Sequence, residues 1–169
     1  MREYSLGTDP DLTFRTEYGR FNYRVGAIIL HEGRLLLMRN PEAPYVYSVG
    51  GRVKFDETTA EAVVREAREE TGITLEIDRP LAFQEQFFEE EVTGEHVHEI
   101  AVYYLMKDSD ALTELRCESV TERGVSEELF WLPLEEIGTV PFVPKSVGKI
   151  LDHLPEQMIR IEEIDHRSR

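Results

Sequence analysis

The sequence predicts an α/β domain, and three observations support this prediction. Several segments are rich in aromatic and β-branched residues, which favours strands. One segment near residue 60 has helix start and stop signals on either side of an apolar stripe with helical spacing. The 169 residues contain no internal repeat, low-complexity tract or linker, and this length is enough for one core. We therefore expect one domain over residues 1–169, with residues 1–19 and 156–169 at its periphery.

The N-terminal part is predicted to be mainly β-structure. Residues 1–19 show weak periodicity, so they are predicted as an extra strand, an arm or a mobile tail. His31-Glu32-Gly33 separates two apolar segments and predicts a hairpin turn. Residues 40–44 contain two prolines and predict a loop. The strands predicted here are residues 21–30, 34–39 and 45–49.

A helix is predicted between residues 58 and 72. Thr58 followed by Glu61 is the pattern of a capping box, and Gly72 stands where a left-handed C-terminal cap is expected. At about 100° per residue, one side should pack against the core and the other should carry three carboxylates. The packed side is predicted to hold Ala60, Val63, Val64, Ala67 and Thr71, and the opposite side Ala62, Glu66, Glu69 and Glu70.

The C-terminal part is predicted to add strands and a second helix. Residues 107–124 are polar and predict a surface loop, and residues 133–137 predict one helical turn. Residues 144–154 have apolar side chains at helical spacing and predict a helix. The charged segment from residue 155 to the end is expected to fray. The strands predicted here are residues 74–77, 81–88, 96–106 and 127–132.

Composition excludes several classes of protein. The net charge of −15 and the pI near 4.7 disfavour binding to nucleic acid backbones and to anionic membranes. No apolar run is long enough to span a membrane, and Met1-Arg2-Glu3-Tyr4 lacks the pattern of a signal peptide. Cys117 is the single cysteine, which excludes an internal disulfide and indicates a cytoplasmic protein.

The carboxylates on the predicted helix are unfavourable unless a partner is present. Like charges three and four residues apart repel each other, and Glu69 and Glu70 lie in the last turn, where the helix dipole disfavours anions. Arg65 offsets part of this through predicted pairs with Glu61 and Glu69. A divalent cation with oxygen ligands would supply the missing charge. The alternative is an ordinary solvated acidic face, which the cluster by itself does not exclude.

The spacing of the whole segment favours the cation site. Residues 51–73, called the box below, resemble the Nudix box, G-x5-E-x7-R-E-U-x-E-E-x-G-U, with U an aliphatic or small residue. The residues that match it are Gly51, Glu57, Arg65, Glu66, Ala67, Glu69, Glu70, Gly72 and Ile73. The resemblance implies an α/β/α sandwich with a mixed β-sheet. It also implies hydrolysis of a nucleoside diphosphate linked to another group, with Mg²⁺, or Mn²⁺ as a substitute.

The resemblance also implies roles for individual residues. Glu66, Glu69 and Glu70 would ligate metal together with the Gly50 carbonyl, and Glu66 is also a candidate base. Arg65 would orient the carboxylates, and Glu57 would brace the loop by pairing with Arg65. Gly51 and Gly72 would supply backbone freedom. The family usually has Pro-Gly-Gly where this chain has Val49-Gly50-Gly51; valine also adopts an extended conformation, so we expect the loop to be retained.

Other residues are weaker candidates for the site. A further glutamate beyond the box acts as base or ligand in many such proteins, and the candidates here are Glu99, Glu118, Glu122, Glu127 and Glu128. For any one of them, a solvated surface position is the more frequent situation. Candidate phosphate contacts are Arg24, Arg39, Arg52 and Lys54, of which Arg52 and Lys54 lie in the box loop. Tyr45, Tyr47, Phe87 and Phe88 are candidates for stacking on a base, although aromatic side chains on strands usually pack in the core.

Two functions from different classes follow from these patterns. The first is a magnesium-dependent hydrolase of a small nucleotide, such as a nucleoside triphosphate or a nucleotide-sugar. The second is a catalytically silent Nudix-type domain that binds a nucleotide and regulates another process. A third interpretation, an acidic module that buffers cations, leaves Arg65 and the glycine pattern unexplained. The resemblance also makes a homodimer one expectation, since dimers are common among such proteins.

Overall fold

The computed structural model describes residues 10–115, 119–120 and 126–165. Within these residues, the strands in chain order are β1 (Thr13–Thr16), β2 (Gly19–Ile28), β3 (Leu30–His31), β4 (Arg34–Arg39), β5 (Val46–Arg52), β6 (Ile77–Glu89), β7 (His96–Met106), β8 (Ser119–Val120), β9 (Ser126–Pro133) and β10 (Ile159–Ile164). The helices are α1 (Thr59–Thr71) and α2 (Lys145–Gly148), with 3₁₀ helices at Asp110–Glu114 and Leu134–Thr139. None of the described helices has the length and hydropathy needed to span a membrane.

The strands form one mixed sheet with the order β10-β6-β7-β2-β5-β4-β9-β8, while β1 pairs with β2 and β3 with β4. The β2–β7 and β10–β6 pairs are parallel and the other pairs are antiparallel. Strand β2 is central, and its partner β5 leads directly into the box. The sheet therefore holds the start of the box between fixed backbone neighbours.

Two buried clusters cover the two faces of the sheet. On one face, Val25, Val49 and Val102 pack with Val63 and Ala67 of α1. On the other face, buried side chains from the strands pack with the α2 region. Because neighbouring residues of a strand point to opposite faces, the two clusters take alternate positions along β2 and β7. This arrangement of layers confirms the predicted α/β/α sandwich around a mixed sheet.

Both helix caps and most of the N-terminal strands agree with the sequence prediction, although the predicted strand 21–30 is divided between β2 and β3. Strand β4 has the predicted bounds, and β7 spans the predicted residues 96–106. The Thr58 hydroxyl accepts from the Glu61 N–H at 3.2 Å, and the Glu61 carboxylate accepts from the Thr58 N–H at 2.9 Å. Gly72 ends the helix with φ of 73°, a left-handed conformation that glycine adopts without strain. These local signals were sufficient to predict both ends of α1.

The buried side of α1 differs from the prediction. Ala60 is exposed, whereas Ala62, predicted on the carboxylate side, is buried together with Glu66. The helix is therefore rotated toward its carboxylates, so that the first of them faces the sheet. The reason is tertiary, because Gly51 leaves room for the Glu66 side chain where any other residue would place a Cβ atom.

The C-terminal part differs most from the prediction. Residues 74–76 are not a strand, and β6 is one strand from Ile77 to Glu89, with two irregularities in its pairing before Ala82. Of the predicted helix 144–154, only Lys145–Gly148 is α-helical. After it, backbone hydrogen bonds join residues three apart, from the Ile150 N–H to the Val147 carbonyl and from the Leu151 N–H to the Gly148 carbonyl, which is turn geometry and not α-helix. Residues predicted to fray contain β10, which gains backbone hydrogen bonds by pairing with β6. The predicted turn at residues 133–137 is confirmed as the 3₁₀ helix Leu134–Thr139.

The predicted peripheral segments are only partly described. Residues 13–16 of the N-terminal segment form β1, one of the three predicted alternatives, and residues 1–9 lie outside the described residues. The predicted loop 107–124 contains a 3₁₀ helix at Asp110–Glu114 and the short strand β8. Cys117, Glu118 and Glu122 also lie outside the described residues.

Candidate functional site

The box begins where β5 meets β2. Val25 pairs with Gly51 and Gly26 pairs with Gly50. A Cβ atom on Gly50 would lie 2.2 Å from the Val25 carbonyl oxygen, and one on Gly51 would lie 2.3 Å from Cδ of Glu66. Both distances are far below van der Waals contact, so side chains are excluded at both positions. The two glycines thus allow the backbone of β5 to approach β2 on one side and the Glu66 carboxylate on the other.

Arg65 is the centre of the hydrogen-bond network in the box. Its guanidinium donates to both oxygens of Glu57, at 2.6 and 2.9 Å, and to the Arg52 carbonyl at 2.9 Å. It also donates to Glu66 at 2.7 Å and to Glu69 at 3.2 Å. Glu61, which was also predicted to pair with Arg65, instead completes the capping box with Thr58. One arginine thereby fixes the loop before α1 and two carboxylates on the helix.

Glu57 closes the loop that precedes the helix. Its second oxygen also accepts from the Lys54 N–H at 2.9 Å. Although burial opposes ionisation, the hydrogen bonds from Arg65 and from the Lys54 backbone hold the pKa of Glu57 below its ordinary value. Glu57 is therefore a carboxylate at neutral pH, and its charge orders the loop against Arg65.

Glu66 is a carboxylate in an unfavourable environment. Its residue is only 9% exposed, and this burial raises its pKa above the ordinary value, although Arg65 opposes the shift. The neighbouring charge of Glu69 acts in the same direction as burial. Additional positive charge near Glu66 would therefore stabilise its ionised form.

The three helix carboxylates differ in exposure. Glu66 is buried, Glu70 is partly buried, and the Glu69 side chain is 54% exposed. No group of three or more His, Cys, Asp or Glu side chains converges as a metal-ligand set within residues 10–115, 119–120 and 126–165. In this arrangement Arg65 attracts Glu66 and Glu69 to its own guanidinium. The donors are nevertheless hard carboxylate oxygens, the type that Mg²⁺ prefers. Arg65 offsets only part of the cost of burying Glu66, so these residues fit a divalent cation chemically.

The candidate glutamates beyond the box lie in different places. Glu99 is buried, accepts from Asn22 at 3.2 Å and from Gln86 at 2.8 Å, and lies on the sheet face opposite α1, as does its register partner Asn22. Glu127 accepts from the Tyr47 hydroxyl at 2.5 Å. It shares the α1 face with Leu129 by strand alternation. Of the described candidates, Glu127 is thus on the same side of the sheet as Glu66.

The remaining candidates line the approach to β5. Arg39 makes an ion pair with Glu128, with nitrogen–oxygen distances of 2.8 and 2.7 Å. Both line a cleft of about 680 Å³ together with Tyr45, a volume that suits a small ligand. Arg52 lies 3.6 Å from a carboxylate oxygen of Asp11.

The links from Tyr47 to Glu127 and from Tyr45 to Glu90 were not predicted from sequence. Burial, followed by the hydrogen bond to Glu127, raises the pKa of Tyr47, so this hydroxyl remains a donor at neutral pH. The partners are 80 residues apart in the first pair, and no local pattern connects residues that are so distant in the chain.

Several aromatic side chains, and His98 beside them, have structural contacts. Trp131 and Tyr47 pack against the buried cluster beneath α1. His98 stacks on Phe87 with ring centroids 4.3 Å apart and lies 3.0 Å from a carboxylate oxygen of Glu85. These contacts account for His98 and Phe87 without a ligand.

The chain is similar to known proteins in both sequence and fold. A family model described as NUDIX domain matches residues 20–154. A CTP pyrophosphohydrolase from Escherichia coli (strain K12) is 36% identical over 78 residues, 44% of this chain and 55% of that protein, so the match spans about half of the relative's length.

Two solved structures are also similar. A MutT protein from Methanosarcina mazei Go1 is 28% identical, with a TM-score of 0.60 and coverage of 78% of this chain and 91% of that one. A MutT NUDIX hydrolase from Burkholderia pseudomallei is 34% identical, with a TM-score of 0.52 and coverage of 68% and 84%.

Proposed function

The chain belongs to the Nudix family, and from this premise we propose that it hydrolyses the diphosphate linkage of a small nucleotide. The observation that carries the proposal is the network around Arg65. It holds Glu57, Glu66 and Glu69 around one guanidinium, and Glu66 packs against Gly51. A protein that only bound nucleotides would not require three carboxylates on one helix at this cost in repulsion.

In this proposal, each residue of the box has a specific role. Glu66, Glu69, Glu70 and the Gly50 carbonyl would hold Mg²⁺, with Mn²⁺ as a substitute. When bound, the ion would supply positive charge to the diphosphate oxygens and lower the pKa of a bound water. Arg65 orients two of the carboxylates, and Glu57 orients Arg65.

The protein's own groups would also position the substrate. The cleft beside Tyr45 and Arg39 would take the nucleoside, and β5 connects this cleft to Gly50 and Gly51. From Tyr47 to Gly51 is four strand steps, about 13 Å at ~3.3 Å per residue. Glu127 lies at the cleft end of this path and would contact the substrate there, while Arg52 and Lys54 lie at the box end.

A nucleoside triphosphate is the proposed substrate class. The relative from Escherichia coli is named a CTP pyrophosphohydrolase, which supports a triphosphate over a nucleotide-sugar. The net charge of −15 supports a small-molecule partner rather than nucleic acid or an anionic membrane. The same charge explains why a divalent ion would accompany the substrate. We propose a cytoplasmic protein, with a homodimer as the assembly to test.

The proposal is tested by screening nucleoside triphosphates and nucleotide-sugars with Mg²⁺ and measuring released phosphate or pyrophosphate. We expect turnover of at least one compound and its loss in EDTA. Glu66→Gln and Glu70→Gln should each lower kcat by roughly a hundredfold or more. Glu76→Gln is the matched control, because its exposed carboxylate lies outside the box and pairs with Lys107. Normal turnover by both box variants would contradict the assignment.

The silent regulatory domain is the second candidate, and the same screen separates the two. Nucleotide binding without turnover of any compound would favour regulation. The intact set Glu66, Glu69 and Glu70 favours the enzyme.

A further inference from the structure

Arg24 is a cation beside the box that the network around Arg65 does not use. It lies on β2, and its register partners are Arg52 on β5 and Ala101 on β7. The next residue, Val25, pairs with Gly51, the glycine against which the Glu66 carboxylate packs. Arg24 is therefore one strand position from the start of the candidate metal site.

The guanidinium of Arg24 makes no hydrogen bond or ion pair within residues 10–115, 119–120 and 126–165. This differs from Arg39 and Arg65, each of which has at least one carboxylate partner. Arg24 is only partly exposed, and arginine carries five N–H donors in a planar fork. Its donors are therefore available to a ligand that carries several acceptor oxygens.

The charged groups around Arg24 come from several elements. Burial by itself would lower the pKa of Arg24, but Glu99, Tyr103, Glu66 and Tyr47 together raise it above its ordinary value. Of these, Glu99 is already bonded to Asn22 and Gln86, Glu66 to Arg65, and Tyr47 to Glu127. Arg52, opposite on β5, adds a second positive charge. Glu99, Glu66 and Tyr47 are therefore bonded to other residues and do not occupy the fork of Arg24.

By strand alternation, Arg24 lies on the sheet face opposite α1, the face that Arg39 and Glu128 of the cleft also share, whereas its neighbour Val25 lies on the α1 face with Gly51. Arg24 interacts electrostatically with Glu66 of the box and with Tyr45 and Tyr47 at the cleft. A nucleotide that extends from the cleft to the box would pass this guanidinium with its phosphate chain. Planar N–H forks match phosphate oxygens well.

We propose that Arg24 binds the phosphate nearest the nucleoside, as an anchor that needs no divalent ion. The inference rests on the proposed function and deepens it, because it divides substrate binding between two sets of residues. Arg24 would act on the sheet side, and the box carboxylates would act through a cation on the helix side. Arg24 is then a positioning residue for the diphosphate.

The test measures binding in EDTA, where the box has no cation. The common ribonucleoside monophosphates are compared with the corresponding nucleosides by isothermal titration calorimetry. For the wild type we expect the monophosphate of the preferred base to bind roughly tenfold or more tightly than its nucleoside. Arg24→Gln should abolish this preference, and Arg24→Lys should retain part of it as a point charge. Arg160→Gln, which removes the same charge from exposed β10, should retain all of it.

Each outcome is decisive. A preference that persists in Arg24→Gln, or one absent from the wild type, overturns the proposal. If Arg24→Gln does not fold, as judged by circular dichroism, Arg24→Lys is used instead, and an undiminished preference in it also overturns the proposal. Loss of the preference in Arg160→Gln would show only a general charge effect and would equally overturn it. Absence of turnover for every nucleotide with Mg²⁺, while the preference depends on Arg24, counts against the proposed hydrolase and not against this inference.

Discussion

Gly51→Ala is predicted to impair the site by direct contact with Glu66. The new Cβ atom would lie 2.3 Å from Cδ of Glu66 and 2.4 Å from both carboxylate oxygens. Carbon atoms pack at about 3.5 Å or more, so the carboxylate must move by roughly 1.2 Å. A displacement of about 1 Å in a catalytic group costs on the order of a hundredfold in rate. We therefore expect kcat to fall by about that factor.

The same substitution should also lower the free energy of unfolding. Overpacking a buried site costs about 1–3 kcal/mol, measured here by urea denaturation without metal. Gly138→Ala is the matched control, because its Cβ atom meets nothing within 4 Å, and it should change stability by less than about 0.5 kcal/mol. In a Glu66→Ala background, Gly51→Ala should lose most of its cost, since the clashing group is gone. An unchanged cost in that background, or full activity of Gly51→Ala, would refute the reasoning.

Three further predictions concern charge. Glu57→Gln weakens both contacts to Arg65 and should lower the free energy of unfolding, measured in urea, by about 1–3 kcal/mol at neutral pH. Because folding lowers the pKa of Glu57, this loss of stability relative to wild type should disappear as the pH falls through the folded-state pKa. For Glu66 the effect of pH on stability is reversed, because folding raises its pKa and the ionised side chain therefore destabilises the fold at neutral pH. Metal-free Glu66→Gln should be at least as stable as wild type at neutral pH and should lose this advantage in acid. Lower stability of the variant at neutral pH would contradict the argument. Mg²⁺ should raise the wild-type Tm in a thermal melt and raise it less in Glu70→Gln, whereas equal shifts would place the ion elsewhere.

The structure explains why the Glu66 predictions could not come from the sequence. Helical periodicity placed Glu66 on an outer face with Ala62, but both are buried. Periodicity describes angles around the helix axis, and it does not state which angle faces the sheet. That choice depends on Gly51, whose missing side chain admits the carboxylate.

The sequence by itself determined the features that depend on near neighbours. The capping box, the left-handed Gly72 and the carboxylate spacing of α1 involve residues a few positions apart, where one helical turn fixes the geometry. The pairing of Glu57 with Arg65 spans eight residues and also followed from the family motif. The resemblance that these features carry implied the fold class, which the structure confirms, and it implied the candidate centre.

Only the tertiary structure decided what depends on distant partners. Strand β10 exists because β6 offers a hydrogen-bonding edge, and the contact from Tyr47 to Glu127 joins residues 80 positions apart. Arg24 stands beside Gly51 only because β2 and β5 pair in one register, and a shift by one residue would turn its side chain to the other face. Register is set by the packing of the whole sheet, which local sequence does not encode.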